Sequence, residues 1–267
     1  FHDNIEWAMP LASDPDFAEI AVNPVKAPTR NRHYMSTGTG IERIAATGNE
    51  ISIATTDVMN MDVVDSIATV IASIPLPPPP VKFEGDAMAD DAPLRVLLLS
   101  PEQYTSFVKS GNFRTLQASA MARAQQAKGN PLFTGDAGLW NGILLVKMPK
   151  PIRFYAGNSL RWCPSLTDEA ETATDLVPAS FGANFAVDRA ILLGGQALAE
   201  AWGKNSRSGN PFFWSEKELD HGDKLEVLIG SVGGKSKVRF DVNYGDAYQP
   251  TDNGVIAIDT AVAIAGQ

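Results

Sequence analysis

Apolar residues recur along this chain with several different spacings, and each spacing predicts a different element. After Thr56, the residues Val63, Val64, Ile67, Val70 and Ile71 repeat at three and four, while Asp62, Asp65, Ser66 and Thr69 fall elsewhere. That is one apolar stripe on a helix, with Thr56 as its expected N-cap. Pro75 and the run Pro77 to Pro80 stop it near Ser73 and impose a polyproline connector. Leu94 to Leu99 is a short bulky run bounded by polar turns, which suits a buried strand, and it feeds directly into Ser100-Pro101-Glu102-Gln103. Ser100 can accept from the amide three residues on, Gln103 can reach back, and Pro101 sits where its missing N–H is harmless, so a helix should run to about Lys109. A further helix is expected from Phe113 to Lys128, ended by Gly129-Asn130-Pro131, and a strand from Ile143 to Met148, halted by Pro149 and Pro151.

The most regular periodicity comes later. Val187, Ala190, Ile191, Gly194, Ala197, Leu198, Ala201 and Trp202 form a stripe that predicts a helix from Phe185 to Trp202, with Trp202 in the core. A glycine inside such a stripe costs about 1 kcal/mol against alanine, so Gly194 marks a close approach by another backbone. Residues 224–229, 235–242 and 255–264 alternate or are β-branched and predict antiparallel strands, the first two joined as a pair through Ser231 to Gly234. Residues 1–55, punctuated by Asp14-Pro15, Asn23-Pro24 and Ala27-Pro28, and residues 165–180 predict mostly loop. The fold class is α+β.

Composition narrows the function. With 267 residues, 44% of them apolar, the chain can build one large or two modest cores. Its 22 basic and 31 acidic residues leave a formal charge of −9, which argues against a surface-wide grip on nucleic acid. One cysteine, Cys163, excludes an intrachain disulfide, and with three scattered histidines it supplies no zinc cluster. The richest apolar runs, 96–99 and 143–146, are strand-sized, far short of the roughly 18 residues of a membrane-spanning helix. The first residue is Phe1 and no targeting pattern follows, so the start is expected to be cut from a longer chain.

Candidate chemistry is sparse. Gly38-Thr39-Gly40 and Gly194-Gly195 lack both the phosphate-loop lysine and the strand, turn and helix context of a dinucleotide site. His221, between Asp220 and Asp223, reads as a polar turn, with an oriented base as the alternative, and Cys163 reads as a small buried residue. Asp86, Asp90 and Asp91, and separately Asp246 and Asp252, lack the ligand spacing of a calcium loop. No catalytic, cofactor-binding or metal-ligating residue is assigned. Two groups are candidate contacts between subunits. Arg30 and Arg32, near Arg43, His33 and Tyr34, suit an acidic surface on a neighbouring copy better than a phosphate. Phe212, Phe213 and Trp214 are consecutive, cannot all share one side of a strand, and are expected to anchor a loop between layers or subunits.

Five stretches in order, VLLLSPEQYTSFVKSG (96–111), NPLFTGDAGLWNGILLVKMP (130–149), AVDRAILLGGQALAEAWG (186–203), FFWSEKELDHGDKLEVLIGSVGGKSKVRF (212–240) and GVIAIDTAVAI (254–264), resemble the major capsid proteins of tailed bacteriophages, in the schitovirus-like podovirus branch. Residues 1–55 resemble them only around Asn31-Arg32-His33-Tyr34. The resemblance implies an HK97-like fold in three parts: a segment 1–55 joining to an N-terminal part outside this chain, an axial domain at 56–204, and peripheral-domain strands at 205–267. It implies an N-terminal arm, extended loop and spine helix before the axial domain, and because residues 1–55 supply no long amphipathic helix these parts are expected to be absent from this chain. It implies no enzyme and no cofactor, but self-assembly into hexamers and pentamers that form an icosahedral head around double-stranded DNA. The partners implied are further copies of the chain with scaffold, portal and decoration proteins, no membrane, and a place in the virion after assembly in the bacterial cytoplasm. A hydrolase-like enzyme pairing Ser100 with His221 and a monomeric surface-binding module are the alternatives.

Overall fold

The computed structural model describes residues 27–47, 49–82, 94–111, 138–164, 173–204, 209–245 and 247–264. The helix expected at Phe113 to Lys128 and the acidic loop from Asp86 to Asp91 lie outside the described residues, as does Asp246.

A 3-10 turn at Arg30–Arg32 leads into β1 (His33–Ser36), β2 (Ile41–Arg43), β3 (Ala46–Thr47) and β4 (Glu50–Ile51). The stretch expected to be mostly loop is thus strand-bearing where it is described, because β1 takes its hydrogen bonds from the far end of the chain. Next, α1 (Met61–Ser73) buries Met61, Val63, Val64, Ile67 and Ile71 on one side, as the stripe predicts. Its N-cap is Asn60 rather than Thr56: Asn60 Oδ1 accepts from the amide of Val63 at 2.9 Å.

β5 (Arg95–Leu99) runs into α2 (Pro101–Lys109) through the expected capping box. The Gln103 amide donates to Ser100 Oγ at 3.1 Å, and the Ser100 amide donates to Gln103 Oε1 at 2.9 Å. β6 (Leu139–Trp140) and β7 (Ile143–Lys147) are joined by Asn141-Gly142, whose φ values of 47° and 75° fit a tight type I′ hairpin turn. β8 (Ile152–Tyr155), β9 (Ser159–Trp162) and β10 (Ala173–Leu176) follow, the last lying in the stretch predicted as loop. Then come β11 (Phe185–Leu193), β12 (Leu198–Trp202), β13 (Phe212–Leu219) and β14 (Lys224–Ser231). β15 (Gly233–Lys237), β16 (Arg239–Asn243), β17 (Tyr248–Asp252) and β18 (Val255–Ala263) complete the described chain.

Eight strands form the central sheet, in the order β2-β1-β18-β11-β5-β7-β6, with β8 beside the first half of β11. The β1–β18 and β5–β7 pairs are parallel and the others antiparallel. This sheet gathers strands from all three stretches into which the resemblance divides the chain. The two helices cover one face, packing on Ala190 and Leu192 of β11 and Ile256 and Ile258 of β18. Part of the other face is covered by a second sheet, β3-β4-β10-β9, where Ile51 and Leu160 meet Val187 and Ala261.

That double cover explains the largest departure from expectation. The segment predicted as a helix from Phe185 to Trp202 is two strands, β11 and β12. β11, covered on both faces, has no solvent side to show, so its apolar run loses the alternation of a half-exposed strand and coincides with a helical stripe, whereas β12 is exposed along its length and joins that stripe by residue type alone. The close backbone approach predicted at Gly194 is present, but at a strand exit. A Cβ there would stand 2.5 Å from the Pro79 carbonyl oxygen, and the next amide, of Gly195, donates to that oxygen at 2.7 Å.

Charges buried in the sheet are paired across the strands. Asp259 accepts from Arg189 Nε at 2.7 Å and Nη2 at 2.8 Å, and His33 Nε2 lies 2.6 Å from its Oδ2. Burial, aided by the Arg189 cation, pushes the His33 pKa down against the pull of Asp259, so the imidazole is neutral, whereas against burial the Arg189 cation, with the His33 hydrogen bond, holds the Asp259 carboxyl well below the ordinary carboxylate range. On the helix side Arg153 grips Asp188 through Nε at 2.7 Å and Nη2 at 2.9 Å, and Nη2 also lies 2.9 Å from Glu102 of α2.

Candidate subunit interface

β12 to β15 leave the sheet as one long ribbon. The β12–β15 ladder runs from Leu198–Lys237 to Trp202–Gly233, and the β13–β14 ladder continues from Phe212–Ser231 to Leu219–Lys224. Val232 joins them: its carbonyl accepts from Gly203 at 3.0 Å and its amide donates to the Pro211 carbonyl at 2.9 Å. At an ordinary strand rise, the continuous edge from Lys224 to Lys237 spans about 45 Å. The expected pairing of 224–229 with 235–242 is therefore corrected. Ser231 to Gly234 is not a hairpin turn but a continuation of one edge, and the chain reverses at Asp220–Gly222, with φ of 57° at His221 and 97° at Gly222.

Register places side chains on two faces. One carries Phe212, Trp214, Glu216 and Glu218 from β13 with Leu225, Val227 and Ile229 from β14. Phe212 is 62% exposed, Trp214 69% and Ile229 80%. Leu225 and Val227 are also exposed. The opposite face carries Ser215, Lys217, Leu219, Lys224, Glu226 and the exposed Leu228, and Phe213, whose ring lies over Gly230 where any Cβ would collide with it. Phe212, Phe213 and Trp214 thus sit on a strand rather than in a loop, and alternation sends Phe213 away from the other two. Trp202 is corrected too: instead of filling a core it is 48% exposed on the ribbon, its ring centroid 4.9 Å from that of Phe212.

A two-stranded ribbon has little stability of its own, and the apolar surface here is on the order of several hundred Å², comparable to the largest patches found on monomers. Its root is firmly held. Asp252 of β17 accepts from Lys237 Nζ at 2.9 Å and Arg239 Nε at 2.7 Å, and the Thr29 amide donates to the same carboxylate at 3.1 Å. Asp252 is therefore an ion-pair anchor, and among the described residues no group of three or more His, Cys, Asp or Glu is placed to hold a metal.

The basic candidates are committed within the chain. Arg32 is fully buried and its Nη2 donates to the Pro75 carbonyl at 2.9 Å and to that of Leu76, so the expectation that it meets a neighbouring copy is corrected. Arg30 is partly exposed, pairs with Asp175 and stacks 4.5 Å over the Trp162 ring. Ser100 is buried with its hydroxyl in the helix cap, whereas His221 stands exposed at the ribbon's turn. Cys163 is buried, 3.1 Å from Arg239 Nη1.

The exposed apolar face of β13 and β14 is a surface of the kind that marks contact with another protein. A family model described as phage capsid protein matches residues 1–264, and the chain belongs to that family. Its members are structural, non-enzymatic proteins of the phage shell. The solved capsid of Ralstonia phage GP4 aligns over 92% of this chain and 57% of its own, at 24% identity and a TM-score of 0.56. The capsid asymmetric unit of cyanophage Pam1 aligns over 89% of this chain and 55% of its own, at 14% identity and a TM-score of 0.55. The chain thus spans a little over half the length of these capsid chains and shares their mixed α and β, strand-rich fold. No curated protein matches it in sequence.

Proposed function

We propose that this chain is a major capsid protein with an HK97-like fold, which assembles as hexamers and pentamers into an icosahedral head around double-stranded DNA. One observation carries the reading: the exposed apolar face of β13 and β14, with Phe212 and Trp214 at its centre, on a family whose members build shells from copies of one chain. Closed shells require every subunit to present surfaces complementary to its neighbours, and large aromatic side chains are the residues that most often carry such contacts. Scaffold, portal and decoration proteins would be the further partners. The net charge of −9 suits a wall that repels packaged DNA instead of adhering to it.

The test is assembly of the full-length capsid protein with Phe212→Ser and Trp214→Ser together. Both side chains project into solvent, so the subunit should fold and unfold as the parent does, while electron micrographs should show few or no shells. Shells at parental yield would remove the ribbon from the interface.

A further inference from the structure

A second surface of the chain is apolar like the ribbon face and opposes it in charge. An open groove of about 600 Å³ lies between the end of α1 and the strands β5 to β7. Its walls are apolar, formed by Ala68 and Ile71 of α1, Pro77 and Leu94 of the connector, and Leu139 and Ile143 of β6 and β7. One cation lines it. Arg95 shares the helix-covered side of β5 with Leu97 and Leu99, and its Nε donates to the Pro78 carbonyl at 2.8 Å. Among the described residues no carboxylate pairs with this guanidinium. Asp65, the nearby acid of α1, already accepts from Trp140 Nε1 at 2.9 Å and from Asn141 Nδ2 at 3.1 Å. A cation on an apolar wall, with no anion beside it among the described residues, invites a partner that is itself apolar and acidic.

The exposed face of the ribbon has that composition. Glu216 and Glu218 lie opposite Val227 and Leu225, next to Trp214 and Ile229. Two such faces meeting each other would bring four carboxylates together, so the ribbon is poorly suited to a symmetric contact with its own counterpart. The exposure of its side chains also shows that it does not lie in the groove of its own chain. We propose that the groove beside Arg95 receives the acidic, apolar ribbon face of a second copy, with Glu216 or Glu218 pairing with the guanidinium. This rests on the reading of the ribbon as an assembly contact and adds its receptor. A contact between unlike surfaces runs head to tail, and head-to-tail contacts close into rings such as hexamers and pentamers.

Charge exchange in the full-length capsid protein tests it, read by sedimentation velocity and electron microscopy. Arg95→Glu alone, and Glu216→Arg with Glu218→Arg, should each lower the yield of capsomers and shells by at least about tenfold, and all three together should restore a substantial part of it. The ribbon substitutions are on exposed positions and leave folding intact, and a thermal unfolding curve matching the parent confirms the same for Arg95→Glu. If the ribbon variants fail to assemble but Arg95→Glu assembles normally, the ribbon is an interface and the groove is not its receptor. If Arg95→Glu fails and is rescued only by reversing Asp90 and Asp91 of the same chain, the groove holds the chain's own acidic segment and the proposal is overturned. Normal shells from the Phe212→Ser, Trp214→Ser variant would instead reject the ribbon reading itself.

Discussion

The central sheet and the ribbon are built from similar residues and meet opposite fates. In β11 and β18, valine, isoleucine, leucine and alanine are covered on both faces, by helices on one side and by the second sheet on the other. In β13 and β14, phenylalanine, tryptophan, leucine and isoleucine stand exposed on strands that have no third neighbour among the described residues. Apolar content alone therefore does not say where the core is. The difference lies in the charges: the acids and bases of the sheet are locked in buried pairs such as Asp259 with Arg189, whereas Glu216, Glu218 and Lys217 on the ribbon remain exposed. The first arrangement fixes a fold, and the second leaves a surface that another molecule can complete.

If that contrast is right, substitutions in the sheet act on folding and substitutions in the ribbon act on assembly. Asp259→Ala leaves Arg189 buried without its partner and should lower unfolding free energy by about 3–5 kcal/mol, measured as a shift of the chemical denaturation midpoint. Leu192→Ala, at a position buried between β11 and the helices, should cost about 2–5 kcal/mol by the same measurement. Ser100→Ala removes the cap of α2 and should cost about 1 kcal/mol. Trp214→Ala should change stability by no more than about 0.5 kcal/mol, and a larger loss would mean that the ribbon belongs to the folded core after all.

The buried histidine adds a pH dependence with a definite sign. His33 is neutral in the folded chain, with its pKa below the ordinary 6.5, so below that pH the unfolded chain binds the extra proton and stability falls as the solution is acidified. Asp259, held charged below its ordinary 3.8, adds a second fall at lower pH. A denaturation series should thus be flat near neutrality and decline below about pH 6.5, and His33→Gln should flatten that first decline. A series independent of pH between 7 and 5 would contradict the assignment.

Much of the layer covering the sheet was legible in the sequence, because its signals are local. The stripe in 61–73 and the Ser100, Pro101 and Gln103 cap each depend on residues a turn apart, and both elements occur where expected. β11 was not legible because its cover comes from segments far away in sequence, including α1, α2 and β4, and burial on both faces erased its alternation. The ribbon misled for the converse reason. Gly233-Gly234 has the composition of a hairpin turn, but Gly233 lies under the Trp202 ring, where a Cβ would come within 2.7 Å, so it answers to packing and not to chain reversal. Phe212 and Trp214 stand out in the sequence by residue type alone. Their common face with Leu225, Val227 and Ile229 depends on a register that no stretch of a few residues specifies.

Amide hydrogen exchange across β13 and β14, compared between unassembled full-length subunits and intact shells, tests the central claim most directly. Rapid exchange is expected along the ribbon edges in the free subunit and strong protection from Phe212 to Ser231 in the shell, with β11 and β18 protected in both. Equal exchange of the ribbon in the two states would show that no neighbour covers it and that the ribbon is not an assembly surface.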